Sequence, residues 1–222
     1  MLIIFDLDDT LINTSEEFLP LKLKKVVQAM IDSGLNVDED EVLNKIMGIN
    51  QNSINAEQAI KTFLQQIGQE KLLRIAIEEY YAPYEEEFKI NFLPHALEVI
   101  KELKDKQHKL TLVSYGNPEL QKKKLEQTGI RNIFDKIIIT EEHNKGELYW
   151  QLAELLNYPP EQVVVIGDKV KTDLLPAKEL GMVTIQMQCG RGKQFPAKEG
   201  EVDHSIQDLK ELLKIVMDLS LE

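Results

Sequence analysis

Five short runs rich in aliphatic residues alternate along this chain with stretches of helical periodicity, and that alternation constrains the fold more than any other feature. The runs are Leu2 to Phe5, Leu110 to Val113, Ile137 to Thr140, Val163 to Ile166 and Val183 to Ile185. Between and after them apolar residues recur at helical spacing: Ala96, Val99, Ile100 and Leu103; Leu148, Leu152, Leu155 and Leu156; Ile206, Leu209, Leu213 and Val216. Short, continuously apolar strands are buried on both faces, and strands alternating with helices form a parallel sheet with right-handed crossovers. The expected fold class is therefore α/β, with a parallel sheet at the centre of three layers. In such sheets ligands sit beyond the carboxyl ends of the strands.

One stretch breaks the alternation. From about Ser15 to about Glu87 the pattern is helical and no strand is evident. Leu23, Val26, Val27, Met30 and Ile31 make one apolar stripe, and Ile60, Phe63, Leu64 and Ile67 a second. Leu73, Ile77, Tyr80 and Tyr84 make a third, interrupted by Pro83. Roughly 70 residues are too many for a simple crossover. The simplest organisation is a core domain of residues 1–14 and 89–222 with a helical subdomain, residues 15–88, inserted after the first strand and hanging over its end.

Composition narrows the function. A length of 222 residues suits one domain with an insertion, and 43% hydrophobic and 29% charged residues are those of a soluble globular chain. A net charge of -12 argues against a nucleic-acid partner, which needs basic surface. No apolar run is long enough to span a membrane, and the short N-terminal run leads straight into acids, unlike a signal peptide. The single cysteine, Cys189, leaves no internal disulfide and fits a reducing cytoplasm. The expectation is a cytoplasmic protein, monomer or weak homodimer, that binds neither nucleic acid nor membrane.

Chemistry concentrates at the strand ends. The first run ends in Asp6-Leu7-Asp8-Asp9-Thr10, three carboxylates within four residues. Like charges this close repel and burial disfavours them, so either the turn is solvated or a cation compensates; oxygen ligands suit Mg²⁺ or Ca²⁺. The second run ends in Ser114-Tyr115-Gly116-Asn117, and the fourth in Gly167-Asp168 with Asp173 downstream. Lys145 follows the third run. Each cluster alone reads as a cap, a turn or a solvated side chain; their common place on the carboxyl edge makes them a set. Gly190 to Gln194 reads as a loop, with a basic rim over the site as the alternative, and His95, His108, His143 and His204 show no ligand spacing.

The set resembles the haloacid-dehalogenase-like superfamily in its phosphatase branch, with a helical cap inserted after the first motif as in phosphoglycolate-phosphatase-like members. Asp6-Leu7-Asp8-Asp9-Thr10 matches the family's Asp-x-Asp-x-Thr. Ser114, Lys145 and Gly167-Asp168 with Asp173 match its later motifs. The chain departs from the family at Gly146-Glu147 after Lys145, where many relatives have Pro-x-Pro. It departs again at Lys169, where Ser is common, and at His95, where Gly is frequent. The resemblance implies a Rossmann-like core and a Mg²⁺-dependent phosphomonoesterase acting on a small phosphate ester through an aspartyl-phosphate. Asp6 is then the nucleophile and Asp8 the acid and base. Asp6, the Asp8 carbonyl and Asp168 hold the metal, with Asp173 a metal ligand or orienter. Thr10, Ser114, Tyr115, Gly116 and Lys145 bind the phosphate, and Asp9 is a bystander. A carboxylate at Asp8 favours phosphatases and phosphomutases over dehalogenases. A phosphomutase, and a non-catalytic protein that binds phosphate esters, stand as alternatives.

Overall fold

The protein is described here by a computed structural model covering residues 1–82 and 90–221. The chain divides into two compact units, Met1–Thr14 with Lys89–Glu222, and Ser15–Phe88. The boundary expected between residues 88 and 89 lies outside the described residues, as do Pro83 and Tyr84.

The second unit is helical. It contains α1 (Leu19–Asp32), α2 (Glu39–Gln51), α3 (Ala56–Gln66) and α4 (Leu73–Tyr81). Side chains cap two of these helices: Asp38 accepts from the N–H of Glu41, and Asn55 from that of Gln58, each at 2.9 Å. The stripes read from the sequence meet in one core, with Leu23, Val26, Val27, Met30, Ile60, Phe63 and Leu64 buried. The third stripe contributes Leu73, Ile77 and Tyr80 at its margin. Lys22 is fully buried in this unit; its ammonium donates to the carbonyls of Glu79 at 3.1 Å and Ala82 at 2.8 Å.

The first unit carries the sheet. β1 (Leu2–Phe5), β2 (Lys109–Tyr115), β3 (Lys136–Thr140), β4 (Val163–Gly167), β5 (Val183–Met187) and β6 (His204–Ile206) are all parallel, in the order β3-β2-β1-β4-β5-β6. The helices of this unit are α5 (Ala96–Asp105), α6 (Pro118–Thr128), α7 (Gly146–Leu156), α8 (Leu175–Glu179), α9 (Gly190–Gln194) and α10 (Lys210–Leu219). Side chains alternate between the faces of β1. Ile3 and Phe5 pack with α5 and α10 on one side; Leu2 and Ile4 pack with α7 and α8 on the other. The sheet is thus covered on both faces, which is why its strands read as unbroken apolar runs. The strand order reverses between β1 and β4, the switch point at which α/β sheets open a crevice for ligands.

Three expectations need correction. Ile206 belongs to β6, not to the C-terminal helix: Ile185 pairs with His204 and Met187 with Ile206, and the helix starts at Lys210. On α7 the fully buried face is Tyr149, Leu152 and Ala153, whereas Leu155 points to solvent with 62% of its surface exposed. Gly190–Gln194 is a helical turn rather than a loop. The buried Gln186 amide holds it by donating to the carbonyls of Asp168, Gly192 and Phe195.

Candidate active site

Asp6 extends β1 by one residue, its N–H donating to the carbonyl of Ile166 at 2.9 Å. Alternation places it on the face of Leu2 and Ile4, the side covered by α7. The packing of Tyr149, Leu152 and Ala153 fixes that helix, and Lys145 stands at its N-terminus. The Lys145 ammonium, buried to 1% exposure, donates to Asp6 Oδ1 at 2.6 Å, Asp173 Oδ1 at 2.8 Å and the Val113 carbonyl at 3.0 Å. An ammonium has three protons, so Lys145 is saturated.

Asp173 reaches this point because a π-helical turn, Val170–Leu174, folds back under the end of β4. Its other oxygen accepts from the N–H of Lys169 at 3.2 Å. Gly167 is required here for space, since a Cβ on it would stand 2.8 Å from Asp173 Cβ. Asp168 is also buried, and neither of its carboxylate oxygens has a partner among the described residues. Ligand atoms of Asp6, Asp168 and Asp173 lie within 4.8 Å of one another. Buried, all-oxygen and partly orphaned, this cluster has the donor chemistry of a hard divalent cation site.

The electrostatics follow from this crowding. Burial raises the Asp6 carboxyl to about 6, overcoming the attraction of Lys145, with Asp173 and Asp8 adding repulsion. Burial likewise lifts Asp168 well above the usual carboxylate range, offset in part by Lys169 and reinforced by Asp173, Asp9 and Asp6. Burial opposes the charge on Lys145, but Asp173 and Asp6 hold its affinity for the proton well above the ordinary lysine value.

Asp8 sits in a different environment. Burial pushes it up, yet the Lys124 charge and hydrogen bonds from Lys124, Thr14 and Gln121 outweigh that and hold it at about 2. Lys124 Nζ is 2.7 Å from Asp8 Oδ1, Gln121 Nε2 is 2.7 Å from Oδ2, and the Thr14 hydroxyl donates to Oδ1. Gln121 also donates to Ser114 Oγ at 2.7 Å. Both α6 residues are missing from the sequence-based site. Their signal was faint: Gln121 and Lys124 share a helix face with the buried Leu120 and Leu125, where an apolar side chain is the ordinary choice.

The remaining expected residues divide. Ser114 and Thr10 are fully buried, and the Thr10 hydroxyl has no partner among the described residues. The Tyr115 ring lies against His143, centroids 4.4 Å apart, with its hydroxyl 3.2 Å from His143 Nε2. Gly116 donates its N–H to the Thr140 carbonyl at 2.9 Å. In this arrangement the Tyr115 ring and the Gly116 N–H are therefore engaged elsewhere. Asp9 is buried at φ 54°, accepts from the N–H of Thr14 at 3.1 Å, and packs so closely on Gly190 that a Cβ there would collide with its carboxylate.

Residues 3–187 match the haloacid dehalogenase-like hydrolases. The chain belongs to that family. A glyceraldehyde 3-phosphate phosphatase of Methanocaldococcus jannaschii is 34% identical over 98% of this chain and 97% of its own length. A protein of the same description from Methanopyrus kandleri is 27% identical over 98% and 97%. Among solved structures, a predicted phosphoglycolate phosphatase from Haemophilus somnus 129pt superposes with a TM-score of 0.76 over 96% of both chains at 22% identity, a likeness of fold. The sequence motifs and these relatives agree on the phosphatase branch, and the protein is a hydrolase of phosphoric monoesters. No helix among the described residues is long and apolar enough to cross a membrane.

Proposed function

We propose that this family member is a Mg²⁺-dependent phosphatase of a short phosphorylated metabolite, with glyceraldehyde 3-phosphate as its substrate. The observation that carries the site is the shared Lys145: one buried ammonium bridges Asp6 and Asp173 while Asp168, beside them, keeps two unmatched oxygens. The substrate rests on relatives of that name matched along nearly the whole chain. Asp6, Asp168 and Asp173, with the Asp8 carbonyl, would hold the cation. Bound there, Mg²⁺ offsets the repulsion between the Asp6 carboxylate and the arriving phosphate.

The chain's own groups do the rest. Asp6 attacks phosphorus as the bond to the substrate oxygen breaks, and an aspartyl-phosphate forms. Thr10 and Ser114 hydrogen-bond the phosphoryl oxygens and the charge of Lys145 balances theirs, the main requirement in phosphoryl transfer. Asp8 protonates the leaving oxygen. It then removes a proton from the water that attacks phosphorus, and Asp6 is freed. The substrate-free arrangement, with Asp8 at about 2, is that of the base; the acid half needs its ties to Lys124 and Thr14 to loosen when the ester binds. The helical unit Ser15–Phe88, inserted in the chain after β1, is read as the cap that selects the ester.

The test is phosphate release across a panel of phosphate esters with Mg²⁺. Glyceraldehyde 3-phosphate should give the highest kcat/KM, and Asp6→Asn should lower turnover by about a millionfold, to background. A flat panel would remove the substrate assignment; unchanged turnover in Asp6→Asn would remove the nucleophile.

A further inference from the structure

Gln121 joins two groups to which the reaction gives separate tasks. Its side-chain nitrogen lies 2.7 Å from Asp8 Oδ2, 2.7 Å from Ser114 Oγ and 3.1 Å from the Tyr115 carbonyl. An ionised carboxylate and a carbonyl only accept, so the atom facing them is the donating nitrogen; the reverse amide orientation would set acceptor against acceptor. The two N–H protons of Gln121 are shared among these three acceptors, and its Oε1 is buried without a partner among the described residues.

The consequence falls on Ser114. Its hydroxyl is both donor and acceptor, and its proton rotates to suit its surroundings. An amide nitrogen cannot accept, so the 2.7 Å contact is Gln121 donating to Ser114. One lone pair of Oγ is thereby used, and the Ser114 proton is turned away from Gln121 and freed for another acceptor. Lys124, three residues on along α6 and buried to 4% exposure, takes the opposite oxygen of Asp8 at 2.7 Å. Asp8 is thus held from both sides by one helix.

We propose that Gln121 is a positioning residue that presents the Ser114 hydroxyl proton to the substrate phosphate. The inference rests on the reading of Ser114 as a phosphate donor, and it deepens that reading. A residue that merely filled space on α6 would affect phosphate binding whether or not Ser114 had a hydroxyl. A residue that acts through that hydroxyl has nothing to act on once it is gone.

The test is a double-mutant cycle on the affinity for inorganic phosphate, measured by calorimetry with Mg²⁺ present and independent of turnover. Gln121→Leu and Gln121→Met are both made, and the one whose melting temperature stays nearer wild type is read. Alone, it should weaken phosphate binding about tenfold, the scale of one oriented hydrogen bond to a charged group. In a Ser114→Ala background the same substitution should change phosphate affinity by less than about twofold. Equal weakening in both backgrounds, or none in either, overturns the proposal while wild-type turnover continues. A wild-type protein that neither binds phosphate nor hydrolyses esters overturns the functional reading and this inference together.

Discussion

Asp6 and Asp8 stand two residues apart, each with a lysine ammonium within 2.7 Å, yet they shift in opposite directions: Asp6 up to about 6 and Asp8 down to about 2. The difference is what else each lysine does. Lys124 meets Asp8 with Thr14 and Gln121 donating beside it. Lys145 is divided among Asp6, Asp173 and a carbonyl, and Asp168 adds a further buried acid with no partner of its own. The charges of Lys145 and Lys169 against three buried carboxylates still leave a deficit of positive charge, which is the requirement a divalent cation meets. Environments that drive neighbouring carboxyls apart in proton affinity also assign them different work.

The largest expected effect comes from breaking the deficient side. Lys145→Met leaves Asp6 and Asp173 buried without their cation. The cation-free protein should lose about 3–5 kcal/mol of stability in denaturant titration, and turnover should fall to background. An intermediate effect sharpens the contrast by pH. A carboxyl raised in the folded state contributes stability that is fully present below its unfolded value near 3.8 and is lost as pH rises through about 6. Without divalent cation, the melting temperature should therefore fall as pH climbs across that window. Mg²⁺ should flatten the fall, and Mg²⁺ affinity should itself weaken as pH drops below about 6, because protons then occupy the ligands. The smallest effect is a control. Asp135 resembles Asp8 in kind: burial pushes it up, but hydrogen bonds from Lys104 and the Leu110 N–H hold it below the usual range. Asp135→Asn should cost at most about 1 kcal/mol. That difference should persist above pH 4 and vanish as pH falls through the lowered value, the opposite window to Asp6.

The same contrast explains what could be read in the sequence. Asp6, Ser114, Lys145 and Asp168 are legible because each is a polar residue at or just beyond the end of an apolar strand. Gln121 and Lys124 are not, because Gln121-Lys122-Lys123-Lys124 reads as a solvated helix face; only the spacing to Leu120 and Leu125 betrays their burial. The sheet was legible from its unbroken apolar runs, except for β6, whose three residues include exposed His204 and Ser205 and are too few to show a period. Asp9 departs from the extended chain that alternation assumes. The backbone instead turns through φ 54° there and carries its side chain inward against Gly190. Tyr115 and Gly116 follow the strand as expected, but the His143 ring and the Thr140 carbonyl decide where their groups point.

The carboxylate expected to become phosphorylated is the one that shares its lysine, rather than the one with a cluster of donors around it. The direct measurement is to quench the enzyme during turnover, reduce the acyl phosphate with borohydride, and sequence the N-terminal peptide by mass spectrometry. Homoserine is expected at position 6 and intact aspartate at position 8. Homoserine at position 8, or no reduced residue at either position while substrate is being consumed, would contradict this assignment.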